Sequence, residues 1–582
     1  MSEEEIEVSV QDDELDDEQR DAVESSEAAI AVLAGPGSGK TRVLSYRTRH
    51  LLHQDRETKA LLLTFTNKAA AEMKARALDV AVVTSDRIWA STFHTFSMRV
   101  LRNHGDLVGV DREFEIPDEE EQKELKEEAG RRAGASDRSF RWSYLRVRRQ
   151  QPRPGETEVI RWAEAYEELK RELRVLDFDD LIVNTADLFE QTPAVAKAYG
   201  AQFPEILVDE FQDTNPAQFA IVQALWEHGR TISVFADDDQ AIYQFAGAEA
   251  KNVQRFVDEL DAREYPLTMN YRCRHAIVDV ANRLIACDTE ASGRTMRAHY
   301  GGGEVRSLGF QSMEDEARAL ADEMEALVGD GVRPSDIGVL ARTRWRIRDL
   351  LRELEARQLP TSNWLGPAYD PEERRAFGTC LSVVRGRLSD RQAKRLFQML
   401  DVEETEERDP LAVLQLHEHL RVCSHLIELR ALVWDGGDLR AVVEKTHEAV
   451  VVARPDLTLE AASLVEAVEA FATHDPGFSL DHLIAELALG GVGGPPTAGG
   501  GIKVATLQAT KGLQWPHVYM VGLEEGKLPS YLADTDEDIR EERRICFVGV
   551  CRAETHLTLS RIAWYRTHRQ HPSRFLSEMN LA

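Results

Sequence analysis

The sequence AGPGSGKT, residues 34–41, and the sequence ILVDEFQDTN, residues 206–215, decide the fold of this chain. In the first stretch, glycines allow backbone N–H groups to surround a polyphosphate, Lys40 supplies an ammonium group, and Thr41 offers a hydroxyl group to Mg²⁺. This spacing is typical of a phosphate-binding loop between a strand and a helix. It predicts that a nucleotide contacts Ala34, Gly35, Pro36, Gly37, Ser38, Gly39, Lys40 and Thr41.

The second stretch supplies acidic residues that complement this loop. Residues 206–208 form an apolar run typical of a buried parallel strand. Such a strand delivers the residues that follow it to the carboxyl edge of the sheet, where open α/β sheets bind ligands. We therefore expect Asp209 and Thr41 to hold Mg²⁺, and Glu210 to orient or deprotonate an attacking water molecule.

Short apolar runs alternate with helical patterns in both halves of the chain. The runs that indicate strands cover residues 29–33, 60–66, 206–208, 231–235, 337–340, 502–506, 518–521 and 557–559. This alternation predicts an α/β fold with parallel sheets covered by helices. It stops at residues 103–191 and 370–489, where charged, helix-favouring sequence indicates a helical insertion in each sheet domain.

Length and composition restrict the class of protein. At about 150 residues per domain, 582 residues indicate roughly four domains. No apolar run approaches the roughly 18 residues that cross a bilayer, and the acidic N-terminal segment resembles no signal peptide, so we expect a cytoplasmic protein. The six cysteines include no CxxC pair, which argues against a disulfide framework or a zinc knuckle.

The charge distribution leaves two interpretations open. A formal net charge of −31 argues, taken alone, against a nucleic-acid partner. However, residues 2–18 carry ten acidic and no basic residues, whereas residues 131–153 carry eight arginines and one acid, interleaved with aromatic residues. The arginine-rich segment is either a polynucleotide track or a helix face neutralised by acidic neighbours.

Further sequence strings are more specific than the phosphate-binding loop. They are LDDEQRDAV (15–23), LTFTNKAAAEMKAR (63–76), STFHTFSMRVLR (91–102), VDEFQDTN (208–215), ADDDQAIYQFAGA (236–248), MNYR (269–272), ATKGLQWPHVYMVGLEEG (509–526) and EERRICFVGVCRA (541–553). In this order they closely resemble the motifs of superfamily 1 DNA helicases of the UvrD/Rep/PcrA type. The resemblance spans nearly the whole chain.

The resemblance implies a domain organisation. We expect two RecA-like P-loop NTPase domains, each interrupted by a mainly helical insertion, with ATP in the cleft between them. The implied segments are 1–102 with 191–265 for the first motor domain, 103–190 for its insertion, 266–369 with 498–582 for the second motor domain, and 370–497 for a reduced second insertion.

The resemblance also implies nucleotide contacts outside the phosphate-binding loop. Gln19 would recognise the adenine edge, Tyr271 would stack on the adenine ring, and Gln240 would sense the γ-phosphate. Arg272 and Arg552 would reach the γ-phosphate from the second motor domain. The remaining implied contacts are Arg42, Gly512 and Gln514, of which Gln514 replaces the glutamate usual in the family.

Single-stranded DNA is the implied polymer substrate. Phe65, Tyr243 and Phe245 would stack on DNA bases, and Thr92 and His94 would face the DNA backbone.

The family also carries a duplex-splitting hairpin with an aromatic tip shortly before the sequence PSRF. In WYRTHRQHPSRF, residues 564–575, the tip is either Trp564 or His568, and the larger ring favours Trp564.

These residues together predict an ATP- and Mg²⁺-dependent DNA helicase that moves 3′ to 5′ on single-stranded DNA and acts at single-strand/duplex junctions. The acidic stretch Asp401–Pro410, where a duplex-gripping turn is expected, leaves a second possibility. This is a translocase that strips bound proteins without efficient unwinding. A hypothesis of another class is a nucleotide-gated DNA-binding module without meaningful turnover.

Overall fold

A computed structural model gives the architecture of most of the chain. It describes residues 15–117, 119–136, 139–242, 247–249, 251–289, 291–364, 371–384, 388, 390–434, 438–455, 480, 483 and 500–582. The predicted DNA contacts Tyr243 and Phe245 lie outside these described residues.

The first sheet has six parallel strands in the order β3-β2-β4-β5-β1-β6. They are β1 (Ala29–Ala34), β2 (Ala60–Thr64), β3 (Ile88–Thr92), β4 (Glu205–Val208), β5 (Thr231–Ala236) and β6 (Arg263–Leu267). In β1, Ala31 and Leu33 face one core while Ile30 and Val32 face the other. The sheet is therefore covered on both sides, as the unbroken apolar runs predict.

Eleven described helices belong to this half of the chain. They are α1 (Asp17–Glu24), α2 (Lys40–Gln54), α3 (Asn67–Ala81), α4 (Phe93–His104), α5 (Glu119–Ala133), α6 (Ser139–Val147), α7 (Thr157–Leu173), α8 (Phe178–Gln191), α9 (Pro193–Gln202), α10 (Pro216–Trp226) and α11 (Asn252–Leu260). Helices α5 to α9 lie between β3 and β4, where the strand pattern of the sequence stops.

The first insertion has a more precise boundary than the sequence indicates. Residues of α8, such as Leu181, Ala186 and Phe189, pack into the core of the first sheet with Phe96 of α4. By contrast, α5 and α7 form a separate small core around Trp162 and nearby residues. We therefore propose that the insertion ends before α8, although the sequence-based boundary falls at residue 190.

The second sheet repeats the architecture of the first. Its six parallel strands have the order β11-β12-β10-β13-β14-β9. After β7 (Met269–Arg274) and β8 (Arg297–Tyr300), which pair with each other, come β9 (Glu304–Phe310), β10 (Ile337–Ala341), β11 (Thr361–Trp364), β12 (Ile502–Thr506), β13 (Trp515–Val521) and β14 (Ala553–Ile562). The sequence-based expectation of an α/β fold with two parallel sheets is confirmed.

The helices of the second half divide between this sheet and the second insertion. Packing around the sheet are α12 (His275–Ile285), α13 (Met313–Gly329) and α14 (Arg348–Ala356), and the insertion contributes α15 (Pro371–Ser382), α16 (Asp390–Leu400), α17 (Pro410–Leu416), α18 (Arg421–Trp434) and α19 (Leu439–Ala453). The sheet domain continues with α20 (Asp536–Val550) and α21 (Arg574–Glu578). None of the helices described in the structure is long and apolar enough to span a membrane.

The second insertion has its own apolar core and touches the first insertion. Phe377, Leu396 and Leu426 are among its buried residues. Glu121 of α5 forms ion pairs with two arginines of α16. Its Oε1 atom lies 2.5 Å from Arg391 Nη2, and its Oε2 atom lies 2.6 Å from Arg395 Nη2. Most of the glycine-rich stretch 490–501 lies outside the described part of the chain.

A buried ionic network joins α6, α7 and α8. Lys170 Nζ lies 2.7 Å from Asp180 Oδ2 and 3.2 Å from Asp177 Oδ2, and Asp177 also accepts a hydrogen bond from the Tyr166 hydroxyl. Arg146 adds a second cation to Asp180. A buried charge stays ionised at low cost only when it is paired, so this network is sensitive to the loss of one partner.

Lys170→Met is expected to destabilise the packing of α7 against α8 by about 3–5 kcal/mol, because it leaves buried carboxylates with one cation in place of two. Native-state amide hydrogen exchange in these two helices measures the change. The control is Arg131→Met, since Arg131 pairs with Glu128 on the exposed face. Equal protection in both variants would contradict this role for Lys170.

Candidate functional site: an ATP site between two sheet domains

The phosphate-binding loop has the conformation that its glycines predict. It connects β1 to α2, and Gly39 precedes the helix with φ +83°, in the left-handed region that favours glycine. At Gly37, a Cβ atom would lie 2.6 Å from Arg272 Cβ, so only glycine allows β7 of the second half to come this close. The loop is therefore built to contact both sheet domains.

Asp209 and Glu210 follow β4 at the carboxyl edge of the first sheet, as predicted. Asp209 N–H donates to Leu63 O of the neighbouring β2 at 2.8 Å, which fixes the chain at the end of the sheet. Glu210 then has φ +54°, an uncommon conformation for a residue with a side chain. Sparsely populated backbone conformations of this kind concentrate at functional sites.

Lys40 lies between these two carboxylates. Its Nζ atom is 2.5 Å from Glu210 Oε1 and 3.5 Å from Asp209 Oδ1. Burial disfavours ionisation of Glu210, but Lys40 and Lys511 outweigh burial and hold its pKa below its ordinary value. The pKa of Asp209 is raised, because burial and the charge of Glu210 outweigh its own contact with Lys40.

Lys511 is a component of the site to which the sequence analysis assigned no role. It follows β12 of the second sheet, yet it forms ion pairs with Asp213 and with Glu210 Oε2 of the first, the latter at 3.3 Å. Burial and the charge of Glu210 raise the pKa of Asp213 to about 6 in spite of Lys511. Its place in the string ATKGL is the signal that could have identified it.

A continuous chain of buried hydrogen bonds joins Glu210 to Arg552. Gln212 Nε2 donates to Glu210 Oε2 at 2.6 Å, and Gln212 Oε1 accepts from the Asp237 N–H at 3.0 Å. Gln240 Nε2 donates to Asp237 Oδ2 at 2.6 Å, and Arg552 Nη2 donates to Gln240 Oε1 at 2.7 Å. This series of hydrogen bonds starts in the first sheet domain and ends in the second.

Three of the five residues that these hydrogen bonds link were predicted site residues, namely Glu210, Gln240 and Arg552, and the structure brings them together. Gln212 and Asp237 were not predicted, although both lie inside the quoted motif strings. Burial, followed by the charge of neighbouring Arg272, lowers the pKa of Arg552 to about 10, which leaves it protonated at neutral pH.

The strand β7 places Tyr271 and Arg272 against the phosphate-binding loop. Tyr271 N–H donates to Gly37 O at 2.8 Å, and Asn270 Nδ2 donates to Pro36 O at 2.7 Å. Asn270 Oδ1 accepts from the Arg272 N–H at 2.9 Å, which orients the backbone of that arginine. Asn270 is a positioning residue within the string MNYR, although no role was predicted for it from the sequence.

Gln19 is buried beside the same loop. Its Nε2 atom donates to Ser38 O at 2.9 Å, and its other amide atom caps the start of α1. Arg42 lies in the first turn of α2, next to the loop. Burial raises the pKa of Tyr271, and the charge of Arg42 opposes that rise. Gly512 (φ +84°) and Gln514 follow Lys511, and both are exposed.

The oxygen atoms near Lys40 suit Mg²⁺. Apart from its ion pair with Lys40, the buried Asp209 Oδ1 accepts no hydrogen bond from any residue that the structure describes. Thr41 lies in the first turn of α2, one residue after Lys40. A carboxylate and a hydroxyl group beside phosphate oxygens are ligands that Mg²⁺ prefers, so these residues fit the predicted metal.

The predicted DNA contacts of the first domain lie near the carboxyl ends of β2 and β3. Phe65 is partly buried and packs on Phe93 with ring centroids 5.7 Å apart. The Thr92 hydroxyl accepts from the Thr95 N–H at 3.0 Å and so caps α4. Burial lowers the pKa of His94 to about 4, so His94 would meet a DNA backbone as a neutral hydrogen-bonding group.

The hairpin before PSRF differs from the expectation. Trp564 pairs with Arg569, and Tyr565 pairs with His568, in a two-stranded antiparallel ribbon. The turn therefore consists of Arg566, with φ +53°, and Thr567. Placing Trp564 at the tip was wrong, because a two-residue turn puts it at the base of the ribbon. Its contact with DNA stays a prediction.

The arginine-rich segment 131–153 is largely neutralised. Each of six arginines in it forms an ion pair with an acidic residue, namely Arg131, Arg132, Arg141, Arg146, Arg148 and Arg149. Of the two interpretations of this segment, the structure favours a helix face neutralised by acidic neighbours.

Lys511→Met is expected to destabilise the protein more at pH 8 than at pH 5. The folded-state pKa of Asp213, about 6, exceeds its ordinary value of about 3.9, so its contribution to stability falls as pH rises through this window. Without Lys511 the pKa of Asp213 rises further, so the fall continues to higher pH, whereas a protonated Asp213 at pH 5 costs little.

Thermal midpoints at the two pH values measure the difference. The double variant with Asp213→Asn is the control, because it removes the titrating carboxyl group and should remove most of the pH dependence. A midpoint difference between Lys511→Met and the unmodified protein that does not change with pH would contradict this assignment.

Comparison with known proteins agrees with this geometry. Residues 15–261 match the model of the UvrD/REP helicase N-terminal domain, and residues 265–364 with 460–563 match the UvrD-like helicase C-terminal domain. The chain is 29% identical to the "ATP-dependent DNA helicase PcrA" of Staphylococcus aureus strain Mu50, over 97% of this chain and 86% of that protein. The same-named protein of Staphylococcus epidermidis strain ATCC 35984 is 27% identical, with the same coverage. With both family domains matched over most of its length, the chain belongs to the UvrD/REP family of ATP-hydrolysing DNA helicases.

Proposed function

We propose that this protein is an ATP-driven motor that moves 3′ to 5′ along single-stranded DNA and separates strands at single-strand/duplex junctions. The single observation that supports coupling is the hydrogen-bond chain from Glu210 to Arg552. It connects the predicted hydrolytic carboxylate to a cation of the other sheet domain. A change at the phosphates would therefore change how the two domains hold each other.

In the proposed cycle, Lys40 exchanges its partners. On binding of ATP its ammonium group leaves Glu210 for the outer phosphate oxygens, which are stronger acceptors for a point charge. Glu210 then loses one of the two cations that hold its pKa low. It becomes a better base, able to orient and deprotonate the attacking water molecule. Bound Mg²⁺, held by Thr41 and Asp209, would neutralise charge on the β- and γ-phosphates.

The arginines couple hydrolysis to movement. Arg552 contacts Gln240 directly, while Arg272 donates to Cys551 O at 3.3 Å and adjoins Gly37. We expect both to contact a γ-phosphate bound by the loop, because such arginines stabilise the charge of the transition state. Loss of the γ-phosphate would release these cations and allow the domains to separate.

A translocase that strips proteins from single strands is the second candidate. It is favoured by the acidic stretch Asp401–Pro410, in which most residues are exposed. Such a surface repels the phosphates of a duplex. A nucleotide-gated binding module is disfavoured because Glu210, Gln240 and both arginines are assembled in one site. We further propose a cytoplasmic role in DNA repair, replication or recombination.

Strand displacement on duplexes with a 3′ or a 5′ single-stranded tail tests the proposal. The 3′-tailed duplex is expected to be unwound, with ATP consumed in parallel, and the 5′-tailed duplex is expected to remain intact. Displacement of a protein bound to single-stranded DNA, without unwinding, would favour the second candidate. Hydrolysis that is not accelerated by single-stranded DNA would overturn both.

Glu210→Gln is expected to reduce DNA-stimulated hydrolysis by at least about 10²-fold, because the amide cannot accept the proton of water. Binding of ATP and DNA should persist, since Gln keeps the length of the side chain. Gln212→Glu is a useful companion, because it retains Glu210 but disrupts the hydrogen-bond chain. Normal turnover in Glu210→Gln, measured as phosphate release with saturating oligonucleotide, would exclude this catalytic role.

A further inference from the structure

We infer that Trp345, Tyr565 and Lys527 form an additional stacking platform for a base of single-stranded DNA on the second sheet domain. The inference rests on the proposed function and deepens it by naming a polymer-binding site. Of its three residues, only Tyr565 lies in a quoted sequence string, that of the hairpin. It places the main nucleic-acid contact of this domain beside the hairpin, well away from the arginine-rich segment 131–153.

The three side chains form one compact group. The rings of Trp345 and Tyr565 have centroids 5.2 Å apart and planes inclined by 32°. Lys527 Nζ lies 4.9 Å from the centroid of Trp345 and 5.9 Å from that of Tyr565. Trp345 nevertheless keeps 38% of its surface exposed, so part of its ring is accessible to a ligand.

All three residues follow the carboxyl ends of strands in the second sheet. Trp345 comes after β10, Lys527 after β13 and Tyr565 after β14, and these strands are neighbours. Gln240 and Arg552 connect this domain to the ATP site, which lies at the corresponding edge of the first sheet. A strand bound on the platform would therefore lie on domains whose spacing the nucleotide controls.

The platform is held by a rigid buried support. Arg346, next to Trp345, donates to Glu316 Oε2 at 2.5 Å and to Glu524 Oε1 at 3.0 Å, and all three side chains are buried. Glu524 also accepts from the Ile562 N–H, at the end of the strand that leads into the hairpin. This support joins the segments carrying Trp345, Lys527 and Tyr565, so the rings are preorganised.

The local charge contrasts with that of the whole chain. Lys527 lies over both rings and Arg566 lies over Tyr565, while Arg344 precedes Trp345 and Arg569 belongs to the hairpin ribbon. Across the described ranges none of these four cations forms an ion pair with an acidic side chain. In the arginine-rich segment, by contrast, six arginines are paired. Uncompensated cations next to exposed aromatic rings are the combination that binds single strands.

The test measures binding of a fluorescein-labelled oligo(dT) to the full chain at several salt concentrations. Trp345→Ala is expected to weaken binding roughly tenfold, since a stacked base contributes about 1–3 kcal/mol and tenfold corresponds to about 1.4 kcal/mol. Trp345→Phe should retain most of the affinity. Lys527→Met should reduce the slope of log K against log salt by about 0.7, the value for one phosphate contact on a single strand.

Trp434→Ala is the matched control. Trp434 is also exposed and also lies under a cation, the guanidinium group of Arg430 at 4.6 Å, but it is located in the second insertion. Its replacement should leave oligo(dT) affinity unchanged. If Trp345→Ala lowers the thermal midpoint, the salt slope of Lys527→Met, which preserves packing, decides whether the platform binds DNA.

The outcomes distinguish a failure of the platform from a failure of the proposed function. Affinity of Trp345→Ala within twofold of the unmodified protein, together with an unchanged salt slope in Lys527→Met, overturns the platform. If oligo(dT) still accelerates ATP hydrolysis by the unmodified protein, the proposed motor survives that result. If it does not, the motor proposal fails, while weaker binding by Trp345→Ala would still support the platform.

Discussion

The buried hydrogen-bond chain between Glu210 and Arg552 is the interaction on which the rest of the site depends. Except for Glu210, whose side chain is 24% exposed, each residue in it has almost no access to water, so its polar groups have to be satisfied by its neighbours. Breaking one of these hydrogen bonds leaves a buried donor or acceptor unpaired. It also weakens the hydrogen bond of the next residue, because the bonds of a network reinforce one another. A change in the separation of the two sheet domains would therefore rearrange these hydrogen-bonded groups. Lys511 reinforces this constraint because its ammonium group completes the first sheet's acidic cluster from the second sheet.

Local sequence was sufficient for those parts of the molecule that local physics determines. The apolar runs that become β1, β4 and β12 are buried on both faces, and a parallel strand of this kind needs no information from distant residues. The phosphate-binding loop was equally predictable, because glycine at Gly37 and Gly39 is required by close approach and by positive φ. The order of motifs then indicated that the α/β architecture occurs twice.

The remaining features depend on partners that are remote in sequence. Arg148 is neutralised by Glu249, about a hundred residues away, so composition alone could not distinguish a polynucleotide track from a paired surface. Lys511 meets Asp213 only because two domains dock. Its place in the string ATKGL could have marked it as a site residue, but it does not indicate Asp213 as the partner. The prediction of the hairpin tip was wrong for another reason. Counting from PSRF does not reveal that a two-residue turn at Arg566 and Thr567 sets the register of the ribbon.

The acidic composition of the chain gains a physical meaning from this arrangement. A net charge of −31 weakens non-specific attraction of polynucleotides to most of the surface. Attraction is then strongest where cations form no ion pair with an acidic side chain. Among the described residues, Lys527, Arg344 and Arg566 meet this condition beside Trp345 and Tyr565. Pairing of most arginines in the first insertion has the same effect, because it removes a competing site. Selectivity for one path across the protein is thus obtained as much by neutralising cations elsewhere as by concentrating them beside the hairpin.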